Sequence, residues 1–394
     1  MQFTTNIVLV SSLLLSSALA APQPEKRSFK VERIPNSKFV AHDGTKQLIK
    51  SYTKWNMPLP PALVAKIAAD KAMAEMAAAT GETAKATSNS TTTTGNGTTG
   101  GQQTGSVSAT PEAGDIEYLS PVVIGGQTLN LDFDSGSSDL WIFSTKLAAA
   151  STAGHTPYDP TKSTTFKEMT GAKWSISYGD GSGAAGTVGT DTVNIGGATV
   201  TNQAIELATA VSASFVMDTQ SNGLVGLAYS KLNTVKPTQQ KTFLDNAIPS
   251  LPMPLFTANL KANVAGAYEF GKIDTTAYSG NLNWAAVNTT NGFWQFSSTK
   301  FSVDGVMMTV ADGTAIADTG TTLMLAAPAI VNAYYSKVAG ATNDAQAGGV
   351  TFPCASKMPD LAVDMGGNYM AVVPGKFISF AKIDAAGTSK STHS

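Results

Sequence analysis

One cysteine, three histidines and two arginines in 394 residues are the scarcest chemistry of this chain. Each scarcity closes off a class of function. A lone Cys354 cannot form an internal disulfide, and His42, His155 and His393 are too few to supply a metal centre built from His and Cys. A Ser-His-Asp triad would have to rest on His155, because His42 lies in a leader and His393 in the tail. Charged residues make up only 14% of the chain and hydrophobic ones 42%, which excludes a disordered chain and allows a large core. No stretch approaches the roughly 18 apolar residues of a membrane-crossing helix. The apolar run Ile7 to Leu15 falls well short of that, and Met1 to Ala20 lacks a basic start. Its apolar centre and its Ala18-Leu19-Ala20 ending still read as a secretory signal peptide over residues 1–20, so a secreted, extracellular, soluble protein is expected.

Charge divides along the chain. Residues 1–105 hold 11 Lys and Arg against 6 Asp and Glu, whereas 106–394 hold 15 against 22. An acidic folded part without a basic patch disfavours nucleic-acid binding. A basic leader ahead of an acidic domain could instead cover that domain in cis. Within the leader, Lys26-Arg27 is a dibasic pair open to processing proteases, and the Ala-rich 61–80 stretch has good helix formers. Residues 88–105 are almost all Ser, Thr, Gly, Asn and Gln, a composition that builds no core and reads as a linker. Asn89 and Asn96 there, and Asn288 further on, begin N-x-Ser/Thr triplets and are candidate glycosylation sites.

From about Glu117 the pattern becomes short runs of Val, Ile, Thr, Phe, Tyr and Trp broken by Gly, Asn and Asp. That pattern predicts a mostly antiparallel β protein, with 327–338 as the clearest helix. Gly181, Gly183 and Gly186 match a dinucleotide-binding fingerprint, but the residues that follow read as another strand where that motif requires a helix N-terminus. The glycines are better explained as a hairpin tip.

One pattern occurs twice. Phe133-Asp134-Ser135-Gly136-Ser137-Ser138 matches Ala317-Asp318-Thr319-Gly320-Thr321-Thr322: an apolar strand, an aspartate, a hydroxyl, a glycine and two more hydroxyls. Two copies predict two similar lobes, each offering one carboxylate. Each glycine permits close backbone approach and each hydroxyl can donate to a carboxylate. If the two turns face each other, like charges that close cannot both ionise easily and one proton is shared. One carboxylate then acts as general base on water while the protonated one donates to a carbonyl oxygen.

With these turns stand Trp174-Ser-Ile-Ser-Tyr178-Gly179-Asp180-Gly181, Asn222-Gly-Leu-Val-Gly226 and Tyr268-Glu-Phe-Gly271. The two turns and these three motifs, in their order along the chain, resemble the pepsin-like aspartic proteases, most closely the secreted fungal enzymes of the penicillopepsin and aspergillopepsin type. The likeness runs from about Glu117 to Lys376. It implies an all-β, bilobal fold with an N-terminal catalytic lobe at 106–288 and a C-terminal lobe at 289–394, preceded by a pro-segment and linker at 21–105. It also implies an acid endopeptidase made as a zymogen, with Asp134 and Asp318 as the catalytic pair and Ser137 and Thr321 hydrogen-bonded to them. Ser135 and Thr319 would form the cross-lobe bonds beneath the pair. Tyr178, Gly179 and Asp180 would belong to the substrate-covering flap, with Trp141 bonded to Tyr178. Asp180 resembles the flap acid that lets some fungal members accept Lys next to the cut.

Protein and peptide substrates, the chain's own pro-segment as cis inhibitor and pepstatin-like inhibitors are the partners implied, with a monomer expected and neither metal nor organic cofactor. The leader lysines Lys38, Lys46, Lys50 and Lys54 are expected to pair with domain carboxylates. Symmetry between the lobes would put the counterpart of Gly226 near position 410, beyond Ser394. An incomplete C-terminal lobe is therefore expected, with the partner of Cys354 among the family's further strands. The alternative reading is an impaired secreted glycoprotein that at most binds peptides.

Overall fold

The computed structural model describes residues 7–10, scattered positions between 48 and 67, and 102–392 except 113–115, 179–181, 345–346, 348 and 383–388. The signal cleavage region, the dibasic pair, the four leader lysines, Asn89 and Asn96 lie outside the described residues.

The first lobe uses eleven strands: β1 (Ile7–Val10), β2 (Gly105–Pro111), β3 (Tyr118–Ile124), β4 (Gln127–Asp134), β5 (Leu140–Ile142), β6 (Lys167–Ser177), β7 (Gly183–Ile195), β8 (Ala198–Val211), β9 (Gly223–Gly226), β10 (Leu255–Asn259) and β11 (Gly266–Phe270). They form one sheet in the order β1-β10-β11-β2-β3-β4-β9-β5-β8-β7-β6, and a further β3–β7 pairing closes part of it into a barrel. β7 beginning at Gly183 confirms that a strand, and no helix, follows the glycine cluster. Gln103, inside the expected linker, already bonds to the body of the lobe through Thr199 O and Ser250 Oγ, both at 2.7 Å.

The sequence QTLNLDFD explains how β4 delivers Asp134. Its first half alternates buried and exposed positions, and its last four residues are buried on both faces. That change of pattern marks a strand leaving the surface for the centre of a sheet. β4 ends between β3 and β9, with Asp134 paired to Gly226 of the parallel β9. Phe133, fully buried, stacks near Tyr268 at 4.8 Å between ring centroids, so the Asp134 turn stands on the main core. Burial of such a ring stabilises by about 1.5–3 kcal/mol.

The second lobe holds β12 (Val287–Asn288), β13 (Gln295–Ser297), β14 (Lys300–Val303), β15 (Val306–Thr309), β16 (Thr314–Ile316), β17 (Thr342–Asp344), β18 (Gly349–Pro353), β19 (Leu361–Asp364), β20 (Met370–Val373), β21 (Ala381–Lys382) and β22 (Ser389–Thr392). They form three small sheets, of which β15-β14-β19-β20 and β17-β18-β22-β21 enclose a separate core that includes Phe301, Val303, Tyr334, Tyr335 and Phe352. The helix α1 (Pro328–Tyr335) lies inside the range that the sequence predicts, and proline at its first position costs no backbone bond there. Trp294, Phe296 and Ala317 belong to the first lobe's core rather than the second, and Trp294 Nε1 donates to Leu227 O at 2.9 Å. Among the described residues β16 pairs only with β13, so the limb leading to Asp318 has no counterpart of β9 behind it.

The leader touches the residues that follow the Asp318 turn. Leu48, Ile49 and Leu63 form a buried cluster with Leu323, against which Tyr52, Leu59, Ile67 and Phe380 pack.

Candidate active site

Each aspartate is held by its own turn. Gly136 N donates to Asp134 Oδ1 at 2.8 Å and Ser137 Oγ to Asp134 Oδ2 at 2.6 Å. The second turn repeats this: Gly320 N donates to Asp318 Oδ1 at 3.0 Å and Thr321 Oγ1 to Asp318 Oδ2. A carboxylate with a backbone donor on one oxygen and a hydroxyl on the other has its plane fixed. Asp134 is 1% exposed, which leaves little room to turn away.

The turns also hold each other. Ser135 N donates to Thr319 Oγ1 at 3.0 Å and Thr319 N to Ser135 Oγ at 2.9 Å. The two hydroxyls pass their protons on to the opposite strands: Ser135 Oγ to Ala317 O at 2.9 Å, and Thr319 Oγ1 to Phe133 O at 2.6 Å. Serine and threonine therefore serve equally here, since only the hydroxyl is used. Tyr268 Oη adds a bond to Phe133 O at 3.2 Å.

These cross-bonds bring the carboxylates face to face over glycine. A Cβ at Gly136 would stand 2.6 Å from Asp318 Oδ1, and one at Gly320 would stand 2.4 Å from Asp134 Oδ1. Neither glycine is needed for its dihedral angles; each is needed because the opposite carboxylate occupies the side-chain space.

Above the pair, Trp141 Nε1 donates to Tyr178 Oη at 2.8 Å. Burial, and next the charge of Asp134, push the Tyr178 phenol well above its ordinary range, so it stays a neutral acceptor of that bond. Gly179 and Asp180, which the sequence puts between β6 and β7, lie outside the described residues. A narrow open cleft is lined by Asp134, Tyr178, Phe215, Leu224 and Gly320, together with Glu117, Asp132, Asp218 and Ser221. Asp132, 3% exposed, shares the face of Asp134 by the two-residue strand period, a signal present in the sequence but easily overlooked. Phe215 comes from a one-turn helix at 213–217, and no local pattern announces that it would stand beside Trp141 and Tyr178. Carboxylate oxygens of Glu112, Glu117 and Asp218 lie within 4.8 Å of one another, and all three residues are already engaged in interactions.

His155 is far from a triad. Its ring stacks on Phe143 at 3.9 Å and its nitrogens face the carbonyls of Ser221 and Val216. Asn288 is exposed, with its Oδ1 accepting from Thr290 N at 3.0 Å.

A strand-dominated, two-lobed body with two aspartate turns locked across its centre is the architecture of an aspartic-type hydrolase. Residues 117–389 match the family model for eukaryotic aspartyl protease. Endothiapepsin of Cryphonectria parasitica is 42% identical over 399 residues, covering 97% of this chain and 88% of that protein. Penicillopepsin-1 of Penicillium rubens and aspergillopepsin-1 of Aspergillus oryzae are each 48% identical, over 73% and 72% of this chain and 71% and 70% of theirs. The chain belongs to the eukaryotic aspartyl protease family, and is by family an aspartic-type endopeptidase.

Proposed function

We propose that this chain is a secreted acid endopeptidase in which Asp134 and Asp318 share one proton and activate a water between them. The observation that carries this reading is the reciprocal contact of each carboxylate with the other turn's glycine. Two carboxylates fixed that close retain a proton at acid pH. The ionised member takes a proton from water, and the water oxygen adds to the peptide carbonyl. The protonated member donates to the carbonyl oxygen, and the resulting diol collapses as the amine leaves with a proton. Ser137 and Thr321 orient the pair, and Ser135 and Thr319 hold its spacing. The Trp141–Tyr178 bond shapes the flap, whose tip would carry Gly179 and Asp180 over the substrate.

The leader acts as the cis cover of a zymogen in this reading. Its support is the cluster of Leu48, Ile49 and Leu63 on Leu323, five residues from Asp318. Pairing of the leader lysines with cleft carboxylates would add an acid-released lock: paired carboxylates have lowered pKa values, so the pairing holds above the ordinary carboxylate range and is lost as pH falls. The N-terminal 20 residues serve secretion, and their removal takes from β10 the β1 partner that it has in the full chain; the exposed Asn288 is a glycan acceptor, as Asn89 and Asn96 are in the linker.

The test is purified full-length chain incubated at about pH 4 with a denatured protein substrate, with and without pepstatin. Cleavage abolished by pepstatin and lost in both D134N and D318N, by at least about 10²-fold, is the expected result. One observation favours a second reading, a peptide binder without turnover: the Asp318 limb has no strand behind it among the described residues. Pepstatin binding without cleavage would select that reading and overturn the first.

A further inference from the structure

A second pair of acids lies buried behind the first turn, and the proposed chemistry does not use it. Asp139 and Glu206 are each 1% exposed. Asn233 Nδ2 divides its donors between them, 2.8 Å to Asp139 Oδ1 and 2.9 Å to Glu206 Oε1, with a longer contact of 3.3 Å to Ser138 O. Thr234 N adds a bond of 2.8 Å to Asp139 Oδ1. The remaining oxygens, Asp139 Oδ2 and Glu206 Oε2, are buried with no hydrogen-bond partner, as is Thr234 Oγ1 beside them. Among the described residues no lysine or arginine pairs with either acid. The titratable groups that face the pair are Tyr178 from the flap strand and, through Tyr178, Asp134.

Two unneutralised carboxylates buried this deeply would be strongly destabilising. A single proton removes one charge and also supplies the missing donor between the two orphan oxygens. Geometry gives this proton a consequence. Asp139 is on the return limb of the Asp134 turn and accepts Gly226 N at its backbone oxygen at 2.9 Å, while Gly226 is the strand partner of Asp134. Glu206 stands opposite Trp141 in the parallel β5–β8 pairing, and Trp141 anchors Tyr178.

We propose that Asp139 and Glu206 share one proton and act as positioning residues, an acid-dependent latch between the return limb of the Asp134 turn and the Trp141–Tyr178 flap anchor. Burial, then the charge of Asp139, pushes Glu206 well above the carboxylate range, and burial raises Asp139 too. A folded-state pKa raised above the unfolded one gives stability that is complete at acid pH and is lost as pH rises through the folded value. The latch is therefore closed in acid and opens toward neutrality. Its own proton belongs to neither catalytic aspartate, and its first readout needs no turnover.

The experiment is an infrared titration of full-length chain, following the protonated-carboxyl stretch, beside thermal melts across the same pH range. Wild type is expected to keep such a band well above pH 4, where ordinary carboxyls ionise. E206Q should lose the part of that band that persists in D134N, where the catalytic pair holds no shared proton, and should hold its melting temperature about one pH unit further toward neutrality, because the glutamine amide supplies the donor without a proton. E206A should not rescue, and in an active preparation should raise KM more than it lowers kcat through the flap. If E206Q does not fold, D139N serves: with its charged neighbour removed, the band should titrate at lower pH than in wild type. A band that E206Q leaves unchanged, a melting profile in E206Q that falls at the wild-type pH, or a D139N band that titrates as in wild type would each overturn the proposal.

Discussion

Replacing Gly320 by alanine exchanges one hydrogen for a methyl group, yet it should disable the molecule. The new Cβ would stand 2.4 Å from Asp134 Oδ1 and 2.5 Å from its Cγ, where ordinary contact begins at 3.4 Å. The carboxylate, or the whole second turn, must move by about 1 Å. Asp134 cannot yield freely, because Gly136 N and Ser137 Oγ hold its two oxygens and the residue is buried. The turn cannot retreat without stretching the bonds between Ser135 and Thr319. A misplacement of 1 Å in a reacting group costs about 10²-fold in rate, equivalent to about 2.7 kcal/mol in the barrier. The overpacking itself should cost about 1–3 kcal/mol of stability. Steady-state kinetics on a chromogenic peptide, with a thermal melt of each preparation, separates the two effects. G136A is the mirror experiment, since its Cβ would meet Asp318 Oδ1 at 2.6 Å. Wild-type kcat in folded G320A would refute the idea that the two carboxylates face each other across these glycines.

Removing the flap anchor with W141F leaves the buried Tyr178 hydroxyl without its donor, a loss of about 1–3 kcal/mol, and should appear mainly as a raised KM in the same kinetic assay. S135A and T319A each orphan a backbone N–H at the junction of the lobes. Each should lower the melting temperature, while S135T and T319S, which keep the hydroxyl, should leave it within a degree or two of wild type. L63A empties a fully buried position in the leader cluster on Leu323. At about 2–5 kcal/mol for such a truncation, the precursor should release its leader at a higher pH than wild type, read as the pH at which self-processing begins.

Much of the molecule is legible from local pattern, because the reasons are local. The repeated Asp-hydroxyl-Gly-hydroxyl turn is such a case: each aspartate is satisfied by its own next residues, so two and three positions of spacing suffice to write the geometry. The hairpin from Lys167 to Ile195 follows likewise from β-branched and aromatic residues on either side of glycines. Other features depend on distant segments. Nothing near Trp294 or Phe296 says that they pack in the first lobe's core, nor that Leu48 and Leu63 in the leader meet Leu323.

By itself the sequence determined the family, the two aspartate turns and the strand-rich architecture, since turn chemistry and two-residue periodicity act over a few positions. Only tertiary structure decided that Gly136 and Gly320 each face the other turn's carboxylate, and that Asp139 and Glu206, 67 positions apart, meet on one buried asparagine. Contacts of that kind are set by the closure of the whole sheet, and the energy that makes them matter, the desolvation of charge, does not exist until the chain has folded around them.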